Sequence, residues 1–115
     1  MNILYCGDKP MQKGILLSSM SLIKNVDEPL NIYILTVDYS EKGINYKPVD
    51  KAFAKYLKEK LNKSDIKVNI FLVDVTRYFV EELPEANMQS RFTACCMLRL
   101  FADKTDIKDR VLYLD

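Results

Sequence analysis

Four aspartates follow apolar runs of the kind that form buried strands. Asp8 ends "ILYCGD", Asp38 ends "YILTVD", Asp74 ends "IFLVD" and Asp115 ends "VLYLD". In open α/β sheets, ligands bind beyond the carboxyl ends of the strands. A row of carboxylates there suits a divalent cation or the hydroxyls of a sugar or ribose. The competing interpretation is helix capping or turn chemistry, which aspartate also favours and which we expect above all for Asp74.

A single arginine, Arg99, interrupts the apolar segment "ACCMLRLFA". Burying a guanidinium without a partner is costly, so its head group must reach a carboxylate, a phosphate or solvent. Its planar fork fits phosphate or carboxylate in bidentate fashion. A structural salt bridge and a ligand contact are both open, and we expect the head group to contact Asp8, Asp115 or a bound phosphate.

The composition describes one small globular domain. The 115 residues are 49% hydrophobic and 29% charged, and the formal net charge is +1. This balance gives no support for a nucleic-acid partner that is held by bulk charge. No apolar stretch is long enough to span a bilayer, and no secretory signal precedes "ILYC".

The cysteines and the absence of histidine limit the possible chemistry. The three cysteines are Cys6, Cys95 and Cys96, and the chain has no histidine. The number of cysteines is odd, and two of them are adjacent in the sequence, which argues against a disulfide framework. A reducing cytoplasm is therefore favoured. A structural zinc site or a histidine-based triad is not expected. We interpret Cys95 and Cys96 as core residues.

Apolar strands alternate with helical patterns along the chain. The predicted strands cover 2–6, 30–38, 67–74 and 110–115, the predicted helices cover 11–25, 48–63 and 92–102, and the main loop covers 38–48. The segment 92–102 is predicted to be a buried helix. Strands with little polar alternation, separated by helices, argue for a parallel sheet covered on both faces.

Several blocks of the sequence resemble family 8 glycosyltransferases of the GT-A fold. They are "MNILYCGD", a helix with "SSMSLIKN" followed by "LNIYILTVD", and above all "RFTACCMLRLFADKTDIKDRVLYLD". The resemblance implies a Rossmann-like, mainly parallel α/β sheet of order 3-2-1-4 with helices on both faces. The family's metal motif is Asp-x-Asp, and Asp115 matches its first aspartate. We therefore expect 1–115 to be the N-terminal nucleotide-sugar-binding portion of a longer glycosyltransferase domain.

The resemblance also implies a set of nucleotide-binding residues. Asp8 matches the acid that contacts uracil or ribose, and Cys6 and Gly7 match small residues whose backbone lies beside the base. Arg99 matches an arginine that reaches toward the nucleotide sugar. Asp115 matches the first ligand of Mn²⁺ (or Mg²⁺), whose other ligands would lie downstream. No catalytic residue is assigned.

The resemblance implies a metal-dependent, retaining hexosyltransferase that uses a UDP-sugar, with residues 1–115 inactive alone. The acceptor would be a glycan or a lipid-linked or protein-linked group. We expect no nucleic-acid partner, no membrane span in this part, and a cytoplasmic location, with the inner membrane face as an alternative through a part beyond residue 115. A non-catalytic α/β nucleotide-binding or interaction module stays open as well. The third alternative is a flavodoxin-like receiver. It would need a second acidic residue paired with Asp8, but the residue after Asp8 is Lys9.

Overall fold

The computed structural model of the protein describes residues 1–41, 43–82, 94–107 and 110–114. The strands within them are β1 (Asn2–Cys6), β2 (Leu30–Thr36), β3 (Tyr39–Glu41), β4 (Ile44–Tyr46), β5 (Val68–Asp74) and β6 (Leu112–Tyr113). The helices are α1 (Gln12–Ile23), α2 (Lys51–Leu61), α3 (Thr76–Glu82) and two 3₁₀ helices, Lys9–Met11 and Ala94–Lys104. None of these described helices has the length and apolarity that crossing a bilayer requires.

Four strands form a parallel sheet in the order β5-β2-β1-β6. This order is third, second, first, fourth when the two short hairpin strands are left out of the count, so the predicted α/β fold is confirmed. The detail that differs is the hairpin, because β3 and β4 form a separate antiparallel pair. The chain moves outward from β1 to β2 and β5 and then returns to the other side of β1. The strand order therefore reverses beside β1, where such sheets bind ligands.

The parallel sheet is covered on both faces, because successive side chains of a strand point to opposite sides. Ile34 of β2 packs in the layer that holds α1 and α2, whereas the next residue, Leu35, packs in the layer that holds α3 and the long 3₁₀ helix. Both side chains are fully buried. Each such side chain stabilises the fold by about 1.5–3 kcal/mol relative to its exposed state.

The prediction of a buried helix over 92–102 needs correction. The segment is a 3₁₀ helix over Ala94–Lys104, and residues 92 and 93 lie outside the described residues. Its buried side chains recur at every third residue, Cys95, Leu98 and Phe101. That spacing matches the three residues per turn of a 3₁₀ helix. The other side of the helix is open to solvent, so Arg99 is exposed rather than buried.

The segment 38–48, which was predicted to be a loop, contains the β3–β4 hairpin. Gly43 lies between the two strands with φ of 79°, a left-handed conformation that side-chain-bearing residues rarely adopt. Tyr39 and Tyr46 pack edge-on against Phe79 of α3, with ring centroids 5.4 and 6.2 Å away. Strands of three residues are too short to show a periodicity in the sequence, which explains why the hairpin was not predicted.

Candidate functional site

The carboxyl end of β1 lies where the strand order reverses. Cys6 ends β1 and is half-buried, and Gly7 is buried. The Gly7 N–H donates to the Leu35 carbonyl at 3.0 Å, which extends the β1–β2 ladder by one residue. A Cβ on Gly7 would lie 2.7 Å from Met11 Cγ and 2.8 Å from Met11 Cβ. Glycine is needed here because the following turn packs closely against the backbone.

Asp8 begins the 3₁₀ turn that follows β1. Its carbonyl accepts a hydrogen bond from the Met11 N–H at 2.9 Å, but its side chain makes no capping hydrogen bond. Burial raises the pKa of the Asp8 carboxyl above the ordinary 3.8, and a hydrogen bond from its own backbone N–H partly offsets that rise. A nearby cation would lower the pKa instead. The carboxylate therefore keeps acceptor capacity for a ligand.

Asp74, the aspartate that ends β5, has a structural role. Asp74 Oδ1 accepts hydrogen bonds from the Thr76 N–H at 2.8 Å and from the Thr76 hydroxyl. It caps the first turn of α3, as the capping interpretation predicted. Thr76 Oγ1 in turn accepts a hydrogen bond from the Asp38 N–H at 2.9 Å. Asp8 cannot make the equivalent bond, because the residue two positions after it is Pro10, which has no N–H.

The turn that carries Asp8 is tied to the segment before α2. The Lys9 N–H donates to the Lys47 carbonyl at 2.8 Å, and Lys9 Nζ lies 3.3 Å from Asp50 Oδ2. The Asp50 N–H donates to Gln12 Oε1 at 2.8 Å. These contacts fix the position of the turn beside β1. Sequence reasoning missed them, and no local signal could have found them, since the partners lie far apart in the chain.

A cavity of about 460 Å³ lies at the carboxyl ends of β2 and β5, beside the N-terminus of α2. Its lining residues are Thr36, Pro48, Val49, Asp50, Lys51, Leu72 and Asp74. Thr36 is buried, and its Oγ1 accepts a hydrogen bond from the Val49 N–H at 2.9 Å. Asp74 and Asp50 are engaged by the protein as described above. Thr36, Asp50 and Asp74 of this cavity thus already hold the fold together.

Arg99 lies against the sheet edge next to β1. Its Cζ is 5.4 Å from the centroid of the Tyr113 ring, a distance typical of a cation–π contact. Tyr113 of β6 pairs with Leu4 of β1. The predicted contact of Arg99 with Asp8 or a bound phosphate stays a prediction. The predicted contact with Asp115 falls outside the described residues.

Asp115 and the predicted metal site also fall outside the described residues. Within the described part of the chain, no three His, Cys, Asp or Glu side chains lie together as metal ligands. A hard divalent ion takes six or more oxygen ligands. The described residues alone therefore do not fit Mn²⁺ or Mg²⁺.

The three cysteines all lie in described positions, and none forms a disulfide. Cys95 is buried in the core layer of α3, as a packing residue would be.

The fold is that of a Rossmann-like α/β domain. At the reversal of strand order lies the half-buried carboxylate of Asp8, which makes no helix-capping hydrogen bond. Comparison with models of protein families, with curated proteins and with solved structures gives no match. A functional assignment therefore depends on the site itself and on the sequence motifs.

Proposed function

We propose that the protein is a glycosyltransferase that uses a UDP-sugar donor, and that the carboxyl end of β1 forms part of its nucleotide site. The observation that carries this proposal is the state of Asp8. Its carboxylate is half-buried, takes no part in helix capping and lies beside the reversal of strand order. Burial costs stability, and the hydrogen bond from the Asp8 backbone N–H offsets that cost only in part, which is a reason to look for a ligand at this position.

The chemistry of the β1 end suits the nucleoside part of the donor. A carboxylate accepts hydrogen bonds from a pyrimidine N–H or from ribose hydroxyls, and partial burial strengthens such bonds. Gly7 has no side chain, and Cys6 has a small one, so a flat base can approach the backbone closely. In this proposal Asp8 contacts uracil or ribose, and Cys6 and Gly7 line the base.

The diphosphate side of the donor is assigned to Arg99 and Asp115. Arg99 lies next to β6, the neighbour of β1, and a guanidinium binds phosphate oxygens well. Asp115 is proposed as a ligand of Mn²⁺ or Mg²⁺, with the remaining ligands supplied by residues after 115. No step of the transfer is assigned to the metal, because the described residues do not form its site. Transfer is proposed to retain the anomeric configuration and to use a glycan, lipid-linked or protein-linked acceptor.

Nucleotide binding tests the proposal directly. Titration calorimetry with UDP, and with ADP and GDP as comparisons, should show a preference for UDP. Asp8→Asn should weaken UDP binding about tenfold, because a hydrogen bond to a charged acceptor contributes roughly 1.5–3 kcal/mol. Asp38→Asn is the matched control, since Asp38 is an exposed aspartate that follows β2. Equal UDP affinity in the wild type and Asp8→Asn would refute the assignment of Asp8.

Sugar transfer is tested by the release of UDP from a panel of UDP-sugars, with and without a chelator. We expect residues 1–115 alone to release no UDP and a longer chain with Mn²⁺ to do so. Chelator-insensitive turnover by residues 1–115 would contradict the proposed metal dependence.

A non-catalytic α/β nucleotide-binding or interaction module is the second candidate. The observation in its favour is Asp74, because this strand-end aspartate serves as a helix cap. This candidate predicts no UDP release with any donor, metal or chain length. The same UDP-release experiment therefore separates the two candidates.

A further inference from the structure

The outer edge of β5 carries hydrogen-bonding groups that nothing in the described chain uses. β5 pairs with β2 on one side only. The Lys67 carbonyl accepts a hydrogen bond from the Leu30 N–H at 2.9 Å, so the peptide groups of Lys67 and of every second residue after it face β2. Ile70 and Leu72 belong to the other set. Their N–H and C=O groups face away from the sheet.

The open edge is bounded at its start by an asparagine side chain and at its end by the turn into α3. At the start, Asn62 Nδ2 donates to the Val68 carbonyl at 2.8 Å, and Asn62 Oδ1 accepts from the Val68 N–H at 2.9 Å. The asparagine side chain thus replaces a neighbouring strand at Val68. At the other end, the Val75 N–H faces β2 and donates to the Thr36 carbonyl, and the chain then turns away from the edge into α3. The open stretch is therefore 69–73, with Phe71 at its centre.

This open stretch is apolar and accessible. Its sequence, "NIFLV", contains no charge and no proline, the residue types with which proteins commonly protect a sheet edge. Residues Ile70 to Asp74 line one side of an open groove of about 620 Å³, whose other lining residues are Tyr33, Tyr78 and residues 104–107. Phe71 is 42% exposed and stacks on Tyr33 with ring centroids 4.9 Å apart. An extended strand can therefore reach the free peptide groups.

We propose that a second copy of this chain pairs with this edge, β5 against β5, in an antiparallel two-fold arrangement centred on Phe71. In that register Ile70 lies opposite Leu72 of the second copy. Each of the two equivalent pairs exchanges two hydrogen bonds, so the eight N–H and C=O groups of Ile70 and Leu72 in the two copies are satisfied in four bonds. The two Phe71 rings lie opposite each other and continue the Tyr33 stacks into a row of four rings.

Charge supports an antiparallel rather than a parallel arrangement. Lys67 precedes the open stretch and Asp74 follows it, and both side chains are exposed. Antiparallel pairing brings the Lys67 end of one copy beside the Asp74 end of the other at both ends of the interface. Parallel pairing would bring like charges together instead. The contact resembles an isologous interface, in which the same patch serves on both subunits.

Because five residues from each copy form a small interface, the dimer should be weak and reversible. Sedimentation equilibrium of the 115-residue chain from about 1 to about 500 µM covers the affinities expected of such an interface. We expect a monomer–dimer equilibrium without larger species, because pairing at this edge is closed by the two-fold symmetry. A monomer throughout this range would overturn the proposal.

Two variants and one control assign the interface to β5. Phe71→Lys places two like charges opposite each other, and Leu72→Pro removes an outward N–H while leaving the ladder to β2 intact. Each should weaken dimerisation at least tenfold, with thermal unfolding used to verify that both variants fold. Leu112→Lys is the control, because Leu112 is similarly exposed (49%) but lies on the opposite edge strand, β6. The proposal fails if Phe71→Lys leaves the dissociation constant unchanged or if Leu112→Lys weakens dimerisation as much as Phe71→Lys.

Discussion

Two buried tyrosines on opposite faces of the sheet differ in whether their hydroxyls have hydrogen-bond partners. Tyr5 is 3% exposed, its OH lies 2.8 Å from Ser18 Oγ, and it accepts a hydrogen bond from the Ser19 hydroxyl at 3.4 Å. Tyr39 is 6% exposed, and its OH has no hydrogen-bond partner in the described structure. Replacing either tyrosine by phenylalanine removes one oxygen and leaves the ring. The two substitutions therefore isolate the contribution of the hydroxyl.

The expected effects on the free energy of unfolding have opposite signs. A buried hydroxyl without a partner costs about 1–3 kcal/mol, and a satisfied one contributes about 0.5–1.5 kcal/mol net. Tyr39→Phe should therefore raise the free energy of unfolding by about 1 kcal/mol. Tyr5→Phe should lower it by about 1 kcal/mol or more, because the fully buried Ser19 also loses a partner. For a chain of this size each change corresponds to a shift in Tm of roughly 3–6 °C.

Urea unfolding followed by far-UV circular dichroism measures both variants under the same conditions. The midpoint should move to higher urea for Tyr39→Phe and to lower urea for Tyr5→Phe, with the slope unchanged in both. Destabilisation by Tyr39→Phe would mean that its hydroxyl has a partner in solution and would refute the reasoning. A change of the same sign in both variants would refute it as well.

Three further substitutions test the β1 end and the β5 edge. Gly7→Ala should destabilise the fold by about 1–3 kcal/mol in urea unfolding, because the methyl group would collide with Met11; an unchanged midpoint would mean that the turn can move away. Asp8→Asn should raise Tm at pH 7, because a raised pKa means that native stability falls as pH rises above the ordinary 3.8. That gain should vanish below about pH 3, where the carboxyl is protonated in both states, and a gain that persists there would exclude burial as its cause. Asn62→Ala removes both hydrogen bonds to Val68 and should lower the unfolding free energy by about 1–2 kcal/mol, measured in urea.

The sheet could be predicted from the sequence because buried parallel strands are nearly continuous apolar runs. The runs "NIYIL" and "NIFLV" both form central parts of strands that pair in register. The long 3₁₀ helix and the hairpin could not be predicted in the same way. Buried residues spaced by three also fit an α-helical pattern, and three-residue strands show no period. The strand order came from the family resemblance, since apolarity alone does not decide which strands are neighbours.

The candidate site was predictable only in part, for a physical reason. Asp8 could be placed at a strand end, because a strong apolar run precedes it. The contacts that hold its turn depend on residues brought together by folding, such as the Lys9–Asp50 ion pair and the bond from the Asp50 N–H to Gln12. A polar residue on a predicted surface does not reveal its partner across the sheet.

Two of the strand-end aspartates, Asp8 and Asp74, differ in role because of the residue two positions later. Asp74 is followed at that distance by Thr76, whose N–H and hydroxyl both bond its carboxylate, and the result is a helix cap. Asp8 is followed at that distance by Pro10, which has no N–H to offer. Its carboxylate is nevertheless half-buried, and the hydrogen bond from its own backbone N–H offsets the cost of that burial only in part. An N–H or O–H donor from a ligand would recover that cost, and the base and ribose of a nucleotide carry such donors. Pro10 thus prevents Asp8 from making the capping bond that Asp74 makes, and its carboxylate stays available to the proposed nucleotide.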